Sequence, residues 1–215
     1  MNKKAIIFDM DGVLFDSEPV YLAMFRKFLE DNQCKVDEKI LYAIAGASSA
    51  QTWDYMIQMW KEEIGPQELR KIFHEQCPNS DIPYQKTMFP GIPKLLAWLK
   101  EQGFVLALAS SSSMHRIQQM FDETGLGGYF SCVVSGNMFR ESKPNPEIYL
   151  YTLSQLGYAP EECLVVEDSP YGIQAGKAAG MQVVGIRDTR FSYDQTAADW
   201  LIDETRELRE FLETH

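Results

Sequence analysis

The chain has 215 residues, and 31 Asp+Glu against 20 Lys+Arg give it a formal net charge of −11. Domains commonly span about 100–200 residues, so this length is generous for one domain and short for two, and a core of ordinary size can be buried without staples. A chain 45% hydrophobic and 24% charged reads as globular and excludes disorder, collagen and coiled coil, while the acid excess argues against broad binding to nucleic acid or anionic membrane.

The first apolar run, Ala5–Phe8, ends at an acid and reads as a strand. It is too short for a signal-peptide core, and no stretch approaches the roughly 18 apolar residues of a membrane span, so a cytoplasmic enzyme or binding protein is expected. From about 17 to 87 the pattern is helical, with Tyr21, Leu22, Phe25, Phe28 and Leu29 and then Trp53, Met56, Ile57 and Trp60. This stretch reads as an inserted helical segment that leaves near Asp16–Ser17 and returns near Met88–Gly91. Strand-like runs then alternate with helical stripes. Ile92, Leu95, Leu96 and Leu99 precede the run Phe104–Ala109. Ile117, Met120, Phe121 and Thr124 precede Cys132–Val134, and Ile148, Tyr149, Thr152, Leu153 and Leu156 precede Cys163–Val166. The small residues between Ser169 and Gly180 suit a helix packed tightly on a sheet, ahead of Val183–Ile186 and Trp200–Ile202. Unalternating apolar strands separated by helices predict a Rossmann-like α/β core with a parallel sheet, built from residues 1–16 and 88–215, with residues 17–87 as an inserted small α-helical cap. The four cysteines, at 34, 77, 132 and 163, form no CxxC pair and read as reduced thiols rather than a zinc site or a disulfide frame. No repeat or low-complexity tract is visible.

Ligands of open α/β sheets sit beyond the carboxyl ends of the strands. There the sequence places Asp9-Met10-Asp11-Gly12, then Ser110 to Ser113, then Lys143-Pro144 before a helix, then Glu167-Asp168-Ser169. In an extended exit from a strand, residues i and i+2 point the same way, so Asp9 and Asp11 would face one spot. With Glu167 and Asp168 added, the cluster calls for a hard, oxygen-preferring divalent cation, Mg²⁺ being the usual one. Gly12 comes too early for an EF-hand loop. One serine of the 110–113 run is expected as a helix N-cap, and free amides at that helix start can also bind phosphate. Any one of these signals is modest; their order at successive strand ends is what points to a site. The segment Gly172-Ile173-Gln174-Ala175-Gly176-Lys177 has one residue too few between its glycines for a P-loop and lies within a helical pattern, so close helix–sheet packing is expected there. His74, His115 and His215 have no partner at ligand spacing.

These motifs resemble the haloacid dehalogenase-like (HAD) phosphohydrolases over essentially the whole chain. The run from Phe8 to Glu18 matches the first motif, Ala109-Ser110-Ser111 the second, Lys143-Pro144 the third, and Glu167-Asp168-Ser169 with Gly172 and Ala175-Gly176 the fourth. The insertion is similar to the small helical cap of the phosphoglycolate phosphatase and β-phosphoglucomutase branch. The resemblance implies Asp9 as nucleophile and Asp11 as general acid and base. It implies Ser110, the Ser111 amide and Lys143 as holders of the phosphoryl oxygens. It also implies Mg²⁺ bound by Asp9, the Asp11 carbonyl and Asp168, with Glu167 a direct or outer-sphere ligand. The cap would open and close on hinges near the two crossings.

The implied activity is hydrolysis of a small phosphomonoester, a sugar phosphate among the candidates, through an aspartyl-phosphate. The alternative is a β-phosphoglucomutase-like phosphomutase, which must also grip a second phosphate. The stretch expected to do so, Ala45–Thr52, has no Arg or Lys, and Glu18-Pro19-Val20-Tyr21 is closer to the phosphatase form. Dehalogenase relatives lack the acid that Asp11 supplies. A catalytically idle phosphate-binding module would have little reason to keep Asp9, Asp11, Lys143 and Asp168 together. The partner expected is a small phosphorylated metabolite, with no nucleic acid and no membrane, and a monomer is the default.

Overall fold

The structure is a computed structural model that describes residues 3–45, 47, 49–77 and 81–215, with the backbone alone at Ser49 and Ala50. Its chain divides into two units, residues 1–16 with 84–215, and residues 17–83. The segment Tyr84–Thr87, placed in the insertion by the sequence pattern, groups with the sheet. It is a single helical turn, and there the Tyr84 amide donates to the Glu123 carboxylate at 2.9 Å while the Tyr84 ring meets Phe15 edge-on.

The sheet unit carries six strands: β1 (Ala5–Phe8), β2 (Val105–Ser110), β3 (Cys132–Ser135), β4 (Cys163–Glu167), β5 (Gln182–Ile186) and β6 (Trp200–Ile202). All pair in parallel, in the order β3-β2-β1-β4-β5-β6. A central parallel strand is covered on both faces, which is why Ala5, Ile6, Ile7 and Phe8 are all fully buried and why this strand shows an unbroken apolar run instead of alternation. The strand order reverses at β1, between β2 and β4, and that reversal opens the crevice in which such sheets bind ligands.

The other unit is helical: α1 (Glu18–Asp31), α2 (Glu38–Ala43), α3 (Ser49–Met59) and α4 (Pro66–Gln76), with no strand among its described residues. An aromatic cluster holds it together, Phe73 meeting Phe25, Phe28 and Trp53 at ring-centroid distances of 5.1–5.5 Å. An Arg26–Glu38 ion pair ties α1 to α2. Within the stretch Ala45–Thr52, Gly46 and Ser48 lie outside the described residues.

Back in the sheet unit, α5 (Tyr84–Thr87) is followed by α6 (Ile92–Glu101), α7 (Met114–Thr124), α8 (Glu147–Leu156), α9 (Pro170–Ala178) and α10 (Leu208–Thr214). Local chemistry sets the ends of the two helices nearest the strand tips. Ser113 caps α7 by accepting from the Arg116 amide, and Ser169 caps α9 by accepting from the Gly172 amide at 3.0 Å. The stretch Gly172–Lys177 lies inside α9, where Lys177 pairs with Asp199 at 2.6 Å and a Cβ on Gly176 would come within 2.9 Å of Val183. Close packing on the sheet, not a phosphate loop, explains its small residues. No described helix is long and apolar enough to cross a membrane.

Candidate active site

The tips of β1, β2 and β4 converge at the switch point. Asp9 follows β1 directly, and its amide donates to the Val166 carbonyl at 3.0 Å, which sets it level with Glu167 at the end of β4. The chain then turns sharply: Leu14 and Phe15 donate back to the Met10 carbonyl, and Gly12 donates to Phe15. Gly12 sits at φ +78°, a conformation that L side chains rarely adopt, and a Cβ there would lie 2.0 Å from Asp168 Oδ2. Only glycine lets the Asp168 carboxylate rest against this turn.

Lys143, 7% exposed, reaches the same place from the segment ahead of α8. A lysine ammonium has three protons, and all three find acceptors: Asp9 Oδ1 and Glu167 Oε1, each at 2.6 Å, and the Ala109 carbonyl at 3.1 Å. Its charge also lies 5.0 Å from the centre of the Tyr149 ring. Glu167 Oε1 accepts a second bond from the Tyr149 hydroxyl at 2.7 Å, while Oε2 takes bonds from the Asp168 amide and from the amide and hydroxyl of Ser169. A Cβ on Gly172 would lie 1.9 Å from Glu167 Oε1, so α9 can begin here only because position 172 has no side chain.

Burial and charge pull these groups in different directions. Burial drives Asp9 up, Lys143 pulls it down, and the Glu167 and Asp11 carboxylates push it up again, leaving it at about 7. Burial lowers Lys143, but Asp9 and Glu167 outweigh it and hold the ammonium well above its ordinary value. Burial and then the Glu167 charge raise the Tyr149 phenol well above 10, so it remains a donor.

On β2, Ser110 is 1% exposed, and its hydroxyl accepts from the Ser112 amide at 3.0 Å; Ser111 is exposed. One oxygen each from Asp9, Glu167 and Asp168 lies within 4.8 Å of the others. The Asp11 carboxylate is outside that group among the described residues, and its Oδ2 accepts from the Ser112 hydroxyl at 2.8 Å. The structure thus brings Asp9, Lys143, Glu167 and Asp168 into one cluster, with Asp11 and the serine loop beside it.

The family model for haloacid dehalogenase-like hydrolases matches residues 6–186. The chain belongs to this family. A "Phosphorylated carbohydrates phosphatase" from Thermotoga maritima is 31% identical over 179 residues, covering 83% of this chain and 82% of that protein. A "Phosphoglycolate phosphatase" from Aquifex aeolicus is 28% identical over 214 residues, covering 99% and 98%. The β-phosphoglucomutase of Clostridium difficile matches with a TM-score of 0.78 at 23% identity, covering 99% of this chain and 96% of that one, a likeness of fold.

In this haloacid dehalogenase-like hydrolase, three further residues shape the site without standing out in the sequence. Tyr149, in an apolar helical stripe, reads as core and is core, yet its hydroxyl bonds to Glu167. Ser112 reads as one serine of four. Gln195, 6% exposed, donates to the carbonyls of Asp168 and Ile186 and accepts from the Asp188 amide, so that it ties the loop after β4 to the loop after β5. Each acts across the fold, and its partner can be named only once the strands are in order.

Proposed function

We propose that this chain is a Mg²⁺-dependent phosphatase of small phosphomonoesters, sugar phosphates among them, that works through an aspartyl-phosphate on Asp9. The observation that carries the reading is the buried Lys143 ammonium, 2.6 Å from Asp9 Oδ1 at the switch point of the sheet. A lysine there both orients a carboxylate nucleophile and offers positive charge to phosphoryl oxygens.

Asp9 attacks phosphorus and forms an Asp9–O–P bond. The bond from phosphorus to the ester oxygen breaks, its electron pair stays on that oxygen, and Asp11 gives it a proton so that an alcohol leaves. Asp11, now a carboxylate, takes a proton from water as the water oxygen attacks phosphorus. The Asp9–O–P bond breaks, phosphate leaves and both acids return to their starting forms. Proton transfer of this kind is worth about 10²–10⁴-fold. Ser110, the Ser111 amide and Lys143 hold the transferring group.

The donor set fits the metal. Asp9, Glu167 and Asp168 supply hard carboxylate oxygens within 4.8 Å of one another, and one lysine cannot balance them. Asp9, Asp168 and the Asp11 carbonyl would hold the cation, with Glu167, already taken by Lys143 and Tyr149, outside the inner sphere. When bound, it offsets repulsion between the carboxylate nucleophile and the phosphate.

The test is phosphate release from a panel of phosphomonoesters with Mg²⁺, with and without EDTA, by the wild type and Asp9→Asn. Release that needs Mg²⁺ and disappears in the variant is expected. Activity that survives either change overturns the reading. Isomerisation of a hexose phosphate that depends on a bisphosphate activator, with little phosphate release, would make the chain a phosphomutase.

A further inference from the structure

The acid–base group needs a support of its own. In an in-line displacement the leaving oxygen lies on the far side of phosphorus from Asp9. A carboxyl group serving that oxygen must stand apart from the cation cluster, and so cannot be oriented by it. Asp11 meets this requirement, being half-buried and outside the group formed by Asp9, Glu167 and Asp168 among the described residues.

We propose that Ser112 is the positioning residue for Asp11. Its hydroxyl donates to Asp11 Oδ2 at 2.8 Å. An acceptor at Oδ2 suits the carboxylate, and it suits the protonated acid only when the proton is on Oδ1. Because a serine hydroxyl can donate to Oδ2 or accept from it, the bond holds the carboxyl plane in one orientation through both halves of the reaction.

Ser112 is itself held from two sides. Its amide donates to the Ser110 hydroxyl at 3.0 Å, and its carbonyl accepts from the Ser135 hydroxyl at 2.7 Å. Ser135 closes β3 in register with Ser110 and is fully buried. A Cβ on the next residue, Gly136, would come within 3.0 Å of Ser111 Cα, so the tip of β3 packs directly on the serine loop. The brace runs from the end of β3 through the loop after β2 to the turn after β1. Ser110 fixes the loop, Ser111 is exposed and Ser113 caps α7, and the hydroxyl of the run that bonds to the acid is that of Ser112.

This rests on the acid–base role given to Asp11 above, and the experiment separates the two. The full-length enzyme is assayed for kcat/KM on two substrates, a sugar phosphate turned over in the panel and p-nitrophenyl phosphate. The sugar alkoxide needs a proton as it leaves, while nitrophenolate leaves without one. Ser112→Ala is expected to lower kcat/KM for the sugar phosphate by about 10–100-fold, part of what acid catalysis supplies, and to change that for p-nitrophenyl phosphate by less than about 3-fold. Ser112→Thr, which keeps the hydroxyl, should restore most of the loss. The ratio between substrates cancels any loss of folded protein, so a merely structural role would leave it unmoved. Equal losses on both substrates, or no loss on either, overturn the proposal. Asp11→Asn is the control: if it discriminates between the substrates and Ser112→Ala does not, the brace alone is refuted. If Asp11→Asn does not discriminate, the acid–base reading fails and the proposal falls with it.

Discussion

Replacing Lys143 by methionine keeps the length and apolar stem of the side chain and removes its charge. The wild-type side chain is 6% exposed and meets two carboxylates, each at 2.6 Å. Removing one partner of a buried ion pair costs about 3–5 kcal/mol, because the charge left behind has nothing to balance it. In a protein of this size each kcal/mol moves Tm by about 2–4 °C, so a fall of about 6–20 °C is expected near neutral pH with EDTA present. The deficit should also deepen with alkali. Burial already holds Asp9 at about 7, and Lys143 is the group that pulls it down, so the variant's Asp9 must lie higher still. An acid raised above its unfolded value loses stability as pH climbs, since the fold keeps a proton that the unfolded chain has released. Above about pH 7 the wild type has released it too, and the variant falls behind by up to about 1.4 kcal/mol per pH unit. Lys143, raised above 10.5, contributes in full throughout that window. The assay is thermal unfolding followed by circular dichroism at about pH 7 and about pH 8.5. A Tm within about 2 °C of wild type at the higher pH, or a deficit that shrinks as pH rises, would refute the argument.

Two further outcomes follow from the same geometry. Gly172→Ala puts a methyl into the Glu167 carboxylate, and overpacking of this kind costs about 1–3 kcal/mol; calorimetry should find a Tm lower by about 2–12 °C, and an unchanged Tm would mean that Glu167 moves aside freely. Asp188 is raised by partial burial but lowered more by the amides of Tyr193, Arg190 and Phe191. A depressed acid stabilises the fold above its unfolded pKa, and that contribution is lost as pH falls through the folded value. Asp188→Asn should therefore lower Tm by about 1–3 °C near neutral pH and by less below about pH 4, checked by paired melts.

The strands were readable because a parallel sheet buries both faces, and a run such as Ala5–Phe8 has little else to be. The residues at the strand tips were readable for a related reason: polar side chains that end an apolar strand are left at the crevice. Lys143 was different. A lysine before a proline says little by itself, and its place was suggested only by its order among the strand tips and by the family resemblance; its burial between two carboxylates is a contact over 24 and 134 residues that no local pattern marks. Ser112, Tyr149 and Gln195 escaped because each bonds to a partner between 18 and 101 residues away, and no local period marks such a pair. The grouping of Tyr84–Thr87 with the sheet unit has no sequence signal, because a four-residue helix carries too few apolar positions to declare which unit it packs against.

The central place of β1 bears on how the molecule is made. Ala5 pairs with Val105 on one side and with Cys163 on the other, separations of 100 and 158 residues. Contacts so distant in sequence close slowly, because the intervening chain must give up its freedom first. At about 5–20 residues per second of translation, some 8–30 s pass between the appearance of β1 and that of its second neighbour. Through that interval an apolar four-residue strand with unpaired edges is open to wrong partners, while the helical unit, built from contacts close in sequence, can already have formed. The strand position at which the cluster of acids gathers is thus also the segment whose protection during synthesis matters most.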